Sequence, residues 1–328
     1  MKKILNWGIL STARINREVI GPLQRSARSR LLAVASRDLE RARAYAAGGS
    51  IPRAYGSYDA LLADPEIDVV YISLPNSLHA EWAVRAAQAG KHVLCEKPLA
   101  ITAAEVDAIA AAARANGVQV AEAFMYRHHP QTLRVQELVA GGALGEIWLV
   151  RGSFSFNLSR EEDVRLSPDL LGGSLWDVGC YPVSYARTVL GREPRQVLGW
   201  KVDGPSGVDL SFAGTLLFDG AAAQVDSGFR SAGRSSVEIV GDRGSLLLPE
   251  AYRPRRGAKI LLKQDGEETV LRVPDSDLYS GEIEDMADAV LEGKPPRISL
   301  ADSRGNVAAI TALYESARAG KLVAVEKH

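Results

Sequence analysis

Apolar residues in the first third of the chain fall into short blocks separated by helical spacing. The run Ile67-Asp68-Val69-Val70-Tyr71-Ile72-Ser73-Leu74 is nearly continuous apolar sequence, as expected of a parallel strand covered on both faces. Comparable blocks occur at Lys3–Trp7, Arg30–Ala35, Val93–Cys95 and Val118–Ala121. Helical stretches lie between them: one after Ile15, one from about Leu39, a short one over Ser57–Leu62, and one with His79 in its first turn that stops at Gly90. Thr102-Ala103-Ala104-Glu105 is a capping-box pattern opening an alanine-rich helix that ends at Asn116-Gly117. This strand and helix alternation over residues 1–121 predicts a Rossmann-type doubly wound parallel sheet.

Beyond residue 121 the pattern changes. Glu122–Pro130 leads into a helix ending near Gly141-Gly142, and from Ile147 to Val273 most of the sequence is strand-like. Turn signals stand at Asp219-Gly220, Asp265-Gly266 and Gly241-Asp242-Arg243-Gly244. Gly172–Val183 enters a helix that runs to Leu190, and two helices, Glu282–Leu291 and Ala301–Ala319, close the chain. The expected fold is therefore α/β: a dinucleotide-binding Rossmann domain over 1–121, then an α+β domain over 122–328 with a large, mostly antiparallel open sheet. The C-terminal helix is free to pack back on the first domain.

Composition narrows the function. The 328 residues are 46% hydrophobic and 24% charged, ordinary for a globular protein of two domains. With 39 basic and 40 acidic residues the net charge is -1, so no global field draws the chain to nucleic acid or an anionic membrane. The opening Met1-Lys2-Lys3 resembles a signal-peptide start, but Asn6 and Gly8 interrupt the apolar run, and a cytoplasmic location is expected. Cys95 and Cys180 lie far apart, with no C-x-x-C pair, which argues against a disulfide framework or a thiolate zinc site. The five histidines show no ligand spacing with cysteines or acids, so no metal is expected.

Several stretches carry candidate chemistry. Glu96-Lys97-Pro98 ends a predicted strand at the sheet edge where open parallel sheets bind ligands. A half-desolvated lysine there can hydrogen-bond a reacting hydroxyl, or it can be a solvated strand-end lysine paired with its neighbour. Gly8-Ile9-Leu10-Ser11-Thr12-Ala13 follows the first strand as a dinucleotide-binding turn would, with Leu10 where the second glycine of G-x-G-x-x-G/A belongs; an ordinary strand-to-helix connection is the alternative. Ser36-Arg37 ends the second strand where an NAD enzyme would place an acid. The guanidinium can pair with a 2′-phosphate, so NADP is favoured over NAD, while Asp38 can cap the next helix. His79 sits at a helix start under the same edge and either touches a cofactor or is a surface histidine. Asp177 and Tyr181 are four apart, on one face of a regular helix, either as site residues or as a cap and a core ring.

Taken together, the Gly8 turn, Ser36-Arg37, Leu74-Pro75-Asn76 with His79, Glu96-Lys97-Pro98 and Asp177-Val178-Gly179-Cys180-Tyr181 resemble the glucose-fructose oxidoreductase / inositol dehydrogenase (Gfo/Idh/MocA) family, over essentially the whole chain. Tyrosine at 181, where many members carry histidine, resembles the branch of dimeric dihydrodiol dehydrogenase and NADP-dependent D-xylose dehydrogenase. The resemblance implies a cofactor site formed by Gly8, Leu10, Ser11, Thr12, Ala13, Arg14, Ile15, Ser36, Arg37, Tyr55, Leu74, Pro75, Asn76, His79, Glu96, Lys97, Arg127 and Tyr279. It implies a substrate site of Lys97, Arg127, His129, Phe154, Phe156, Asn157, Asp177 and Tyr181, taking a sugar, polyol or vicinal diol. In the implied reaction Tyr181 is the acid/base, its phenol (ordinary pKa about 10) tuned by the Lys97 ammonium, and Lys97 orients the reacting oxygen. Asp177 hydrogen-bonds the substrate or Lys97. Two alternatives stand beside this: a non-catalytic NADP-binding sensor, and a sugar-sugar oxidoreductase that never releases its cofactor. The helices left in the second half cannot cover both faces of its sheet, so a homodimer or higher oligomer through that sheet is expected.

Overall fold

A computed structural model describes residues 4–160 and 162–326; Met1-Lys2-Lys3, the leader-like start, lie outside the described residues. The chain divides into two compact units. The first holds the described residues up to His128 together with Asp277–Arg304, and the second holds His129–Ser276 with the described residues from Gly305 onward.

In the first unit six parallel strands, β1 (Leu5–Leu10), β2 (Ser29–Ala35), β3 (Arg53–Tyr55), β4 (Val69–Ile72), β5 (His92–Glu96) and β6 (Val120–Ala123), lie in the order β3-β2-β1-β4-β5-β6. The order reverses between β1 and β4, which opens a crevice beyond their carboxyl ends. Every residue of β4 is fully buried, matching its continuous apolar run. The crossovers are α1 (Asn16–Arg25), α2 (Leu39–Gly48), α3 (Tyr58–Leu62), α4 (Asn76–Gln88) and α5 (Ala103–Asn116). The capping box at Thr102 and Glu105 forms, and Gly117 ends α5 at φ 63°.

The second unit has nine strands: β7 (Ile147–Asn157), β8 (Gln196–Asp203), β9 (Asp209–Phe218), β10 (Ala221–Gly228), β11 (Arg230–Gly241), β12 (Gly244–Leu248), β13 (Lys259–Gln264), β14 (Glu267–Arg272) and β15 (Val323–Ala324). Their order is β14-β13-β12-β11-β7-β10-β9-β8-β15, antiparallel throughout except for β7 beside β10. Helices α6 (Pro130–Ala140) and α7 (Cys180–Leu190) belong to this unit, and α7 packs against β7. On β8 the side chains of Leu198, Trp200 and Val202 alternate outward and stay exposed.

The units do not divide at 121/122. Helix α8 (Ser280–Glu292) and the first turn of α9 (Leu300–Ala319) group with the first unit, and the rest of α9 groups with the second. Charge pairs that local sequence does not reveal accompany this grouping. Arg28 ion-pairs with Glu284, Asp288 and Glu292 along one face of α8, and Arg304 and Asp302 of α9 pair with Asp107 and Arg127.

Asp64 fastens β3 to the segment entering β4. Its carboxylate accepts from Arg53 Nη1 at 2.8 Å, from the Tyr55 hydroxyl at 2.7 Å and from the Glu66 N–H at 2.9 Å. Burial alone would raise its pKa, but these donors outweigh burial and hold the carboxyl below its ordinary value. A depressed folded-state pKa contributes stability that is present above the unfolded value of about 3.9 and lost as pH falls through the folded value. Asp64→Asn should therefore cost about 1 to 3 kcal/mol at pH 7. In urea titrations the gap to the parent protein should close as the pH drops below about 4.

Candidate active site

The strand that opens the chain runs further than its sequence suggests. β1 continues to Leu10, so Gly8 lies inside the strand and not in the turn. A Cβ at Gly8 would stand 2.7 Å from Leu61 Cδ2, so this glycine serves the packing of α3 against β1. Leu10 points into the core with no exposed surface, and its side chain is not available to a cofactor. The unusual backbone expected of the second glycine falls on Ser11, at φ 128°. Ser11 tolerates it because it is locked in place. Its Oγ lies 3.0 Å from Ser73 O and 2.8 Å from Ser73 Oγ, and it accepts the Ala13 N–H at 3.1 Å; Asn16 Nδ2 donates to Ser11 O at 3.0 Å. The backbone N–H groups of Thr12, Arg14 and Ile15, at the entry to α1, donate to no acceptor among the described residues. Orphan N–H groups at a helix start fit a pyrophosphate.

At the end of β2, Ser36 is buried and its N–H donates to Tyr55 O at 3.0 Å. Arg37 is exposed. Asp38 caps α2, accepting the Arg41 N–H at 3.1 Å, which removes an acid from competition at this corner. Arg41, which the sequence reading missed, donates from Nε to Thr12 Oγ1 at 2.8 Å and brings a second guanidinium to the turn after β1. Only the spacing of an N3 side chain from its cap could have hinted at it. Tyr55 is drawn away from the cofactor edge, with its hydroxyl engaged by Asp64.

Leu74, Pro75 and Asn76 lead from β4 into α4, and Lys97 follows β5 directly, half-buried, with a cis peptide bond to Pro98. The Lys97 loop is braced from two sides. His79 is 1% exposed, its Nδ1 2.7 Å from Pro98 O and its Nε2 2.7 Å from Leu74 O. Burial lowers its pKa, with the Lys97 charge acting in the same direction and the two carbonyls opposing it, and His79 braces the two loops. On the other side the Leu99 N–H donates to Glu122 Oε1 at 2.9 Å. Glu96 accepts the Tyr71 hydroxyl at 2.5 Å. Glu282, in the first turn of α8, adds a buried carboxyl close enough for the Glu96 charge to act on it; burial first and then Glu96 push its pKa well up. Tyr279, just before α8, is buried. Arg127 is also buried and is held by Asp302 at 2.9 Å.

The second unit gathers a different set. Phe154 and Phe156, on one side of β7, pack with Val178 and Phe229. The Tyr181 ring is 5% exposed and lies edge-on to Phe154 at 5.2 Å, with Tyr252 at 5.6 Å. Asp177 is not on a regular helix: residues Leu175–Gly179 form a π turn running straight into α7, so the expected shared face of Asp177 and Tyr181 is offset by the wider turn. The Asp177 carboxylate accepts Arg165 Nε at 2.6 Å, and Arg165 also pairs with Asp163 at 3.2 Å. Arg165, which also escaped the sequence reading, thus presents its guanidinium 6.0 Å from the Phe156 ring. Asn157 ends β7, exposed. His129 is an N-cap: its Nδ1 accepts the Gln131 N–H at 3.1 Å ahead of Pro130, so this buried ring caps the start of α6.

Among the described residues no group of acids, histidines and cysteines is arranged to hold a metal ion, and no helix is long and apolar enough to cross a membrane. The family model described as an oxidoreductase family with an NAD-binding Rossmann fold matches residues 5–124, and the Gfo/Idh/MocA C-terminal domain matches residues 132–247. The chain is 41% identical over 324 residues to D-xylose 1-dehydrogenase (NADP(+)) 2 of Haloferax volcanii, covering 98% of this chain and 99% of that protein. Aldose-aldose oxidoreductase from Caulobacter crescentus, complexed with glycerol, superposes with a TM-score of 0.92 at 28% identity, over 98% of this chain and 100% of that one. A 3-ketoreductase from Actinomadura kijaniata in complex with NADP and TDP-benzene superposes with a TM-score of 0.90 at 29% identity, over 96% and 98%. With both of its domains matched and this identity sustained along nearly its whole length, the chain belongs to the Gfo/Idh/MocA family of oxidoreductases.

Proposed function

We propose that the protein is an NADP-dependent oxidoreductase that moves a hydride between the nicotinamide and a carbinol or carbonyl carbon of a sugar, polyol or vicinal diol. The observation that carries this reading is the turn after β1: its orphan N–H groups suit a pyrophosphate, and Arg37 with Arg41 at the adjoining corner suits a 2′-phosphate. NADP in the names of a dehydrogenase and a reductase complex of this family points the same way. The cofactor, when bound, supplies the hydride acceptor or donor. The chain's residues do the rest. Lys97, ending β5 on a braced loop, orients and polarises the reacting oxygen; Tyr181 takes its proton in oxidation and returns it in reduction. Asp177, held by Arg165, accepts from a substrate hydroxyl. The two buried free thiols, Cys95 and Cys180, suit a reducing cytoplasm.

A competing reading is exchange between two sugars on a cofactor that never leaves, which the likeness to an aldose-aldose oxidoreductase favours. An NADPH absorbance screen of the purified protein against sugars, anhydrosugars and vicinal diols separates the two. Net NADPH formation from one sugar supports release at each turnover, whereas stoichiometric NADP retained through gel filtration supports exchange.

The cofactor preference should show as tighter binding of NADP than of NAD in fluorescence titrations. Arg37→Ala should erode the preference by about ten- to a hundredfold, the worth of one charge-assisted contact of about 1.5 to 3 kcal/mol. Equal dissociation constants in the parent protein would remove this part of the proposal.

On a confirmed substrate, Tyr181→Phe should lower kcat by about 10²- to 10⁴-fold, the usual worth of a general acid/base, while NADPH binding survives. Lys97→Met should also lower kcat. Full turnover by Tyr181→Phe would make the tyrosine a packing residue only.

The partner proposed for the open face of the nine-stranded sheet is a second copy of the chain. Leu198, Trp200 and Val202 form an exposed apolar row beside Arg151, Gln224 and Asp226, a mixture suited to a self-complementary interface. Sedimentation at micromolar concentration should give a dimer or larger assembly, and Trp200→Asp should shift it toward monomer; a monomeric parent protein counts against the interface.

A further inference from the structure

Asp209, the first residue of β9, is 2% exposed, yet its carboxylate is fully engaged. One oxygen, Oδ2, accepts from Ser174 Oγ at 2.7 Å and from the Leu175 N–H at 2.9 Å; the other accepts from the Tyr314 hydroxyl at 2.6 Å. Ser174 Oγ also lies 3.0 Å from Ser227 Oγ on β10. Gly173 makes the fit possible. It sits at φ 112°, and a Cβ there would stand 2.2 Å from Asp209 Oδ1. Burial pushes the Asp209 carboxyl up, against the pull of its three donors, and burial likewise pushes the Tyr314 phenol well up, keeping it a donor.

The two anchored groups, Ser174 and Leu175, are the entry to the π turn that carries Asp177 and runs without a loop into Tyr181. A π turn is an uncommon geometry, found mostly as a single wide turn within an α-helix, and these contacts from β9 and α9 brace its entry. An α turn in its place would rotate Asp177 relative to Tyr181.

We propose that Asp209 is a positioning residue of the reaction: by gripping Ser174 and Leu175 it holds the π turn in register and so aims Asp177 and Tyr181. The inference rests on the role given above to Tyr181. Asp209 touches neither substrate nor cofactor. Its effect passes through the turn.

The test uses the full-length protein on a sugar that it oxidises, with kcat, KM and the NADPH dissociation constant measured for each variant. Asp209→Ala should lower kcat by about ten- to a hundredfold, as a misplacement of about 1 Å does, with NADPH affinity within about twofold of the parent. Asp209→Asn should recover most of the loss, because its carbonyl oxygen can still accept from both Ser174 and Leu175. A folded Asp209→Ala protein with the parent kcat overturns the inference, and so does an Asn variant as impaired as the Ala one, since charge and not position would then be at work. If Asp209→Ala does not fold, Ser174→Ala removes one anchor alone and should lower kcat without moving NADPH affinity; a parent-like kcat there also overturns it. Tyr181→Phe, assayed alongside, keeps the two failures distinct. An impaired Tyr181→Phe with an unimpaired Asp209→Ala sinks only the positioning role, whereas full turnover by Tyr181→Phe sinks the role of Tyr181 and this inference with it.

Discussion

A parallel strand buried on both faces has no water for its peptide groups, so every N–H and C=O of β1, β4 and β5 must be paired with a neighbouring strand running the same way. Strands that all run the same way cannot be joined by tight turns, and each must be followed by a crossover helix. Two consequences follow together. All strand ends, and hence all strand-to-helix loops, collect at one edge of the sheet, and each loop ends at a helix start with unsatisfied N–H groups. The groups assigned to the cofactor stand at that edge because the ladder leaves the chain no other place to turn: Ser11–Ile15 after β1, Ser36-Arg37 after β2, Leu74–Asn76 after β4 and Lys97 after β5.

Loops in such a position are useful only if they do not wander. The chain fixes them with buried polar side chains aimed at backbone. Ser11, Ser73 and Asn16 lock the first turn; His79 bridges the loops after β4 and β5; Glu122 holds Leu99 from the neighbouring strand. Each bond is worth about 0.5 to 1.5 kcal/mol net, but leaving any of these buried groups unpaired would cost more, so the arrangement is held chiefly by the penalty on its alternatives. The second unit uses the same device. Asp209 and Tyr314 do for the π turn what His79 and Glu122 do for the lysine loop.

Much of this was legible from local sequence. The continuous apolar run at 67–74, the capping box at Thr102 and the glycine-bearing turns at 219–220, 241–244 and 265–266 each encode a local physical requirement, and each element formed as its residues demand. Asp38 as a helix cap and Arg37 at the end of β2 are of the same kind. The inward partners of His79, His129 and Arg127 were not legible for one reason: a polar side chain near a ligand edge looks the same in sequence whether it faces outward to a ligand or inward to a carbonyl, an N–H or a carboxylate. Gly8 was misplaced because a strand's last residues and a turn's first ones share the same small, apolar composition.

The sequence by itself determined the two fold classes, the order of elements, the edge on which the lysine sits and the absence of an acid directly at the end of β2, because periodicity, caps and turn residues act within a few positions of one another. Tertiary structure decided the rest. Ser11 carries the strained backbone only because Ser73 and Asn16 hold it from 62 and 5 positions away. Helix α8 groups with the first unit, where Arg28 meets three acids some 260 positions further along the chain. Residues 175–179 form a π turn with Asp209 gripping its entry from β9. In each case the deciding interaction joins charges or hydrogen-bonding groups remote in sequence, and nothing in the local pattern of apolar and polar positions can report a partner that only the folded chain brings into contact.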